Sequence, residues 1–323
     1  MPKKLPLWLT YTENIQLKGK EVQFDFKGGT TRLPFSQIHS IMFYGSVCPL
    51  DQEFLEQTAK MKIPIVIHRR NMSKAVWINA STTSNREDLL TKQILFRENI
   101  KKSAYITKRL LKAKFESMTW LIPAPYHDIY RMTDVVQMRA VEAWHAKQYW
   151  QEYYHRLGFD DESRRKKNNP ISLALDATSK FISGIVLRWV SFHHFSPYHG
   201  FTHTPSDYPS LVYDLMEPYR GYVDQAVFEV LQILSIKNEE KILPAVFATI
   251  KEKLDEEVYV NATRQYVTRH ELYHGLVLGL RSYLLGNPRF IVPMPGKPNG
   301  GRPIQAGFRL YGKMAGVVNL TSS

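Results

Sequence analysis

The stretch Asn79-Ala80-Ser81-Thr82-Thr83-Ser84-Asn85 decides how the rest of the chain is read. It is polar throughout and has no apolar period, so it reads as a linker. The residues before it have the period of strands. Leu7-Trp8-Leu9-Thr10-Tyr11 alternates, and Glu21-Val22-Gln23-Phe24-Asp25-Phe26 alternates strictly before the turn Lys27-Gly28-Gly29-Thr30. Residues 38–44 form a further strand ended by Gly45, and residues 63–67 a short buried one. Only residues 51–62, with Phe54, Leu55, Ala59 and Met61 apolar, have helical spacing. Beyond the linker the period is that of helices, over residues 85–118, 130–157, 171–195, 211–235, 242–255 and 268–285. Apolar residues run most of the way round 171–195, which marks a central helix. The fold class expected is therefore α+β with two domains. A small N-terminal β domain spans 1–80 and a larger all-α domain spans 86–295. Residues 296–323, with Pro, Gly and several basic residues, read as a loosely ordered tail.

Composition narrows the partners. The 323 residues carry 43 Lys and Arg against 30 Asp and Glu, a net charge of +13. Apolar residues make up 44% and charged residues 23%, which excludes a disordered chain, collagen and a simple coiled coil. Cys48 is the sole cysteine, so neither an internal disulfide nor a multi-thiolate zinc site can form. No signal peptide is expected in residues 1–9, and no apolar window of about 18 residues is expected to cross a membrane. A cytoplasmic setting is expected. The charge points to a polyanion. Residues 1–80 carry net +5, residues 81–170 net +6 and residues 171–323 net +2. The run Arg164, Arg165, Lys166 and Lys167 falls between an acidic stretch and a helix start, a loop position suited to phosphate contacts.

Three constellations carry possible chemistry. Glu142 sits mid-helix among apolar and aromatic neighbours. A carboxylate there is paired, exposed on one stripe, or bound to a cation. His203 lies in Gly200-Phe201-Thr202-His203-Thr204-Pro205, a loop that leaves it free as a metal ligand or general base. Asp214 and Glu217 stand at i and i+3 near a helix start, where they complement the helix dipole or hold a divalent cation. One histidine with carboxylates is an oxygen-rich set, suited to Mg2+ or Mn2+. Beside a basic surface it suggests phosphodiester chemistry. No protein nucleophile is evident. Glu142-Ala143-Trp144-His145 and Glu271-Leu272-Tyr273-His274 are also both Glu-x-x-His, the pattern of a di-iron carboxylate bundle.

The segment from Gly200 to Arg220 resembles a signature of the CRISPR adaptation integrase/endonuclease family, the first-numbered CRISPR-associated protein. That family has G-F-x-H, a Pro-Ser turn and D-L-M-E-x-[FY]-R. Here His203 precedes Asp214 by 11 residues and Glu217 by 14. An upstream E-G/A-x-x-A-x-x-Y-[WF] motif is matched by Glu142 to Trp150. Leu33 to Gly45, residues 63–67 and Leu280 to Gly286 resemble further family segments. The third long helix departs from the family pattern, with Ser172 and Asp176 where amides are usual.

The resemblance implies metal ligation by Glu142, His203 and Glu217, with Asp214 a near neighbour in the catalytic set. It implies that Arg220 supports the site or contacts phosphate. It further implies a homodimer formed through the β domain, and two such dimers bridged by a dimer of a small ferredoxin-like CRISPR adaptation protein, a heterohexamer on double-stranded DNA in a prokaryotic cytoplasm. The reaction implied is joining of the 3′-OH ends of a short duplex to a repeat array by transesterification. The alternatives are a transposon-type integrase of the same superfamily and a non-catalytic nucleic-acid-binding module.

Overall fold

The computed structural model describes residues 4–69, 75–79, 88–159, 169–205, 207–234, 239–298 and 306–314. Linker residues 80–85 and the basic run Arg164, Arg165, Lys166 and Lys167 lie outside the described residues.

β1 (Leu5–Lys18), β2 (Glu21–Phe26) and β3 (Gly29–Pro34) form an antiparallel meander. β4 (Ile38–Val47) returns parallel to β1. Helix α1 (Gln52–Lys60), capped by Asp51 accepting from the Phe54 amide, crosses to β5 (Ile65–His68), which is parallel to β4. β6 (Val76–Ile78) is antiparallel to β5, so the sheet order is β3-β2-β1-β4-β5-β6. The pleat sorts β4 and β5 to two faces. Ile41, Phe43 and Ile65 pack with Val22, Phe24 and Phe54 of α1. Met42, Tyr44 and Val66 point the other way, into the core of the helices. β4 is buried on both faces from Ile38 to Gly45, with Ile38, Ile41, Met42, Phe43 and Tyr44 supplying its apolar surface. Its one sharp bend is at Gly45 (φ +88), where a Cβ would stand 2.7 Å from the Tyr11 ring.

The helical body consists of α2 (Leu89–Glu98), α3 (Ile100–Ser117), α4 (Tyr126–Arg131), α5 (Val135–Arg156), α6 (Pro170–Phe192), α7 (Ser210–Met216), α8 (Arg220–Ile233), α9 (Glu239–Asp255) and α10 (Arg269–Leu284). Three spans read as single helices are interrupted. Residues 130–157 begin in α4 and break at Met132–Asp134 before α5. Residues 85–118 break at Asn99, whose backbone is extended and whose side chain caps the Lys102 amide at 3.0 Å. Residues 211–235 break at the 3-10 turn Glu217–Tyr219, where Pro218 supplies no N–H to continue α7. Helix α6 is central, packing on β4, β5, α7, α8, α9 and α10. Contrary to expectation, it is long and apolar enough to span a membrane, but 72% of that window is buried inside the protein, as a core helix requires. Ser172, on its first turn, bonds the Tyr154 hydroxyl at 2.9 Å.

Between α9 and α10 lies a hairpin that the helical reading does not contain, β7 (Glu257–Val260) with β8 (Gln265–Thr268). β9 (Pro295–Gly296) and β10 (Lys313–Met314) widen it to four strands. Within the segment read as a tail, residues 306–314 pack on the body. Leu310 is buried there, and Gln265 both accepts from its amide and donates to its carbonyl, at 2.9 and 2.7 Å.

Candidate active site

The loop of residues 200–203 wraps the Asp214 carboxylate. Oδ2 accepts from the amides of Phe201 and Thr202, at 2.5 and 2.9 Å. Oδ1 accepts from the His203 amide at 3.0 Å and from His203 Nδ1 at 2.7 Å. Asp214 is only 1% exposed, so four donors satisfy a fully desolvated charge. The wrap demands glycine at position 200. A Cβ there would lie 2.6 Å from the His203 carbonyl oxygen and 2.8 Å from Asp214 Oδ2. Ser210 Oγ anchors the loop by accepting from the Gly200 amide and donating to the Tyr198 carbonyl.

The second half of the site lies where α3, α5 and the 3-10 turn meet. Gly221, at the start of α8, sits so close to the end of α3 that a Cβ would fall 2.0 Å from the Ser117 carbonyl oxygen. That approach, with Tyr219 OH donating to the carbonyls of Leu272 and Pro293, sets Glu217 beside the last turn of α3. Glu142 shares an inward stripe of α5 with the buried Met138, His145 and Tyr149. Of the three sequence readings of Glu142, the structure selects pairing. Lys114 Nζ lies 2.5 Å from Glu142 Oε1 and 2.6 Å from Glu217 Oε2. The first contact is a hydrogen bond. The second is an equally close ion pair to the buried Glu217 carboxylate. Arg220 is also internal, with Nη1 3.8 Å from Glu217 Oε1 and Nε 3.2 Å from Asp224 Oδ1.

The electrostatics arise from these contacts. Burial pushes the Glu217 carboxyl upward, but the Lys114 charge, with Arg220 and His203 behind it, overrides burial and holds it down to about 2. Burial disfavours the His203 cation, yet the Asp214 hydrogen bond and charge, joined by the fields of Glu217 and Glu142, raise it above its ordinary value. His203 therefore lies within electrostatic reach of both glutamates.

The sequence-derived residues thus fall into two linked groups. His203 pairs with Asp214, and Glu142 pairs with Glu217 through Lys114. Asp214 and Glu217 face different partners, His203 and Lys114. Arg220 braces Glu217 from within. The two Glu-x-x-His motifs hold separate bonds. Glu142 meets Lys114, whereas Glu271 accepts from His274 Nδ1 and the Tyr311 amide. Lys114 and Asp224 were not singled out as site residues. Lys114 had a signal, a charged residue in line with Thr107, Leu110 and Leu111 on the buried face of α3. Asp224, one turn beyond Arg220, had only that spacing.

Among the described residues no three His, Cys, Asp or Glu side chains are grouped closely enough to hold a metal ion. The donors nevertheless suit a divalent cation. Two carboxylates already converge on one cationic centre. His203 has Nδ1 fixed by a carboxylate, which is the usual orientation of a metal-bound imidazole.

A six-stranded sheet followed by a helical body is a fold shared with solved Cas1 and casposase structures. It is similar to a Cas1 protein from Thermotoga maritima, at a TM-score of 0.73 and 18% identity over 93% of this chain and 100% of that one. It is similar to a casposase bound to its integration product, at 0.71 and 17% over 90% and 92%. A chain of a Cas6-RT-Cas1–Cas2 complex matches at 0.69 and 13% over 88% of this chain and 35% of that one. No curated protein matches significantly in sequence. The family described as CRISPR associated protein Cas1 matches residues 7–242, and the chain belongs to it.

Proposed function

We propose that this chain is the metal-dependent DNA endonuclease and integrase of CRISPR spacer acquisition. The observation that supports this most directly is the meeting of Glu142 and Glu217 on one cationic centre, in a structure that also fixes His203 on Asp214. Glu142, Glu217 and His203 would hold Mg2+ or Mn2+, which when bound supplies Lewis acidity toward a phosphate oxygen. Asp214 accepts the Nδ1 proton of His203 and so directs Nε2 outward as the donor atom. Arg220 keeps Glu217 ionised and oriented from behind. The reaction is attack of a DNA 3′-hydroxyl on a phosphodiester. One ester bond forms as another breaks, so no external energy source is needed. With water as attacker, the same site nicks.

The partners we propose follow from the family resemblance. Double-stranded DNA, a homodimer through the β sheet, and a small ferredoxin-like adaptation protein in a heterohexamer make up the working assembly, in a prokaryotic cytoplasm. The protein with its small partner is expected to join a short duplex to a supercoiled plasmid carrying a repeat array when Mg2+ or Mn2+ is present. Glu142→Ala and His203→Ala are expected to remove the half-site product. Unchanged joining in both variants would sink the assignment. The casposase match supports a second reading, a transposon-type integrase. Equal joining to plasmids with and without repeats would favour it.

A further inference from the structure

Lys114 stands between the two carboxylates that the proposed function gives to a divalent cation. Its Nζ is 2.5 Å from Glu142 and 2.6 Å from Glu217, and the residue is 8% exposed. Its backbone cannot withdraw. It belongs to the last turn of α3, which the close approach of Gly221 to Ser117 pins against α8. Only the side chain is free to move, on a long flexible stem. The charges are unequal as well. One ammonium faces two carboxylates. Arg220 also reaches Glu217, at 3.8 Å, but bonds to Asp224 at 3.2 Å. The pair is therefore assembled and not saturated.

We propose that Lys114 is a resident counter-ion that competes with the divalent cation for Glu142 and Glu217. It keeps the carboxylates assembled before metal arrives and is displaced as metal binds. This rests on the reading of Glu142, His203 and Glu217 as metal ligands. Two like charges brought together in a buried place repel and lose hydration, so without a cation the pair would splay or take up protons. An internal ammonium removes that cost, and it weakens metal binding by the work of its own displacement. A passive brace behaves differently. Its removal would loosen the carboxylates and weaken metal binding.

The test is Mn2+ titration of the full chain without DNA, reading free Mn2+ by electron paramagnetic resonance and melting temperature with and without Mn2+. The wild type is expected to bind Mn2+ at a site lost in Glu142→Gln. Lys114→Met is expected to bind at least about tenfold more tightly, to melt lower in chelator, and to gain more from Mn2+ than the wild type does. Lys114→Arg, which keeps the charge, is expected to show no tightening. If Lys114→Met does not fold without metal, Lys114→Gln is titrated by the same criteria. Affinity equal to or weaker than wild type in the neutral variant overturns the competition. Wild-type binding that is unaltered in Glu142→Gln overturns the ligand assignment itself, so the two failures are told apart.

Discussion

The two halves of the site neutralise their charges by different means. Asp214 is held by three backbone amides and one imidazole, donors fixed by the path of residues 200–203. Glu142 and Glu217 are held by the tip of one lysine. Backbone donors cannot leave without unfolding the loop, whereas an ammonium on a flexible stem can. The first half is thus a permanent fixture that aims His203, and the second is a holder whose occupant can change. The largest effect is expected from breaking the permanent half. Asp214→Ala strands three buried amides and releases His203, and is expected to cost about 4 kcal/mol in urea unfolding. DNA joining should fall below detection with it. A loss under about 1 kcal/mol would show that the amides find other partners.

The exchangeable half depends on where α3 and α8 cross. Gly221→Ala places a methyl 2.0 Å from the Ser117 carbonyl oxygen, a backbone atom that cannot rotate aside. The helices must part, at an expected cost of about 2 kcal/mol. Because α3 carries Lys114 and the preceding turn carries Glu217, Mn2+ binding should weaken in this variant. The hydrogen bond of His203 to Asp214 should persist, visible as an unchanged Nδ1 proton resonance. Loss of that resonance would mean the two halves are one mechanical unit.

The difference between the halves also accounts for what was legible in the sequence. The Asp214 half is local, with glycine, histidine and aspartate within 15 residues of chain, and its spacing is dictated by the wrap. The chain pattern G-F-x-H followed by D-L-M-E therefore exposes it. The other half is assembled from residues 114, 142 and 217, and no short pattern links a lysine on one helix to carboxylates on two other elements. The sheet was legible for the same reason, since alternation in residues 21–26 and the mostly apolar run 38–44 are local. The division of 85–118 at Asn99 was written in the sequence as a helix cap and lost beneath the surrounding periodicity. The β7–β8 hairpin escaped because its strands are four residues long and its turn contains Arg264 at φ 54, without a glycine to mark it.

A subtler way to separate the halves is by pH, read as differences in unfolding free energy in chelator. The folded protein as a whole loses stability on acidification below 6.5, because burial lowers His39, His68, His145 and His193 and protons then favour the unfolded chain. Differences against single variants remove that background. Glu217 is held down to about 2 from 4.5, so its contribution is present above 4.5 and lost as pH falls toward 2. The gap between wild type and Glu217→Gln is therefore expected to narrow as pH falls from 4.5 toward 2, and to change again where His203 titrates, since Glu217 helps raise that imidazole. His203 is raised above 6.5, so its contribution is complete below 6.5 and lost as pH rises through the folded value. The gap between wild type and His203→Asn is expected to narrow on the alkaline side, with a smaller change on the acid side because His203 helps hold Glu217 down. The effects are small because each variant keeps the other half intact. Gaps that stay flat with pH would mean that neither pairing persists in solution, and a single shared limb would mean that the lysine-held and backbone-held charges titrate together.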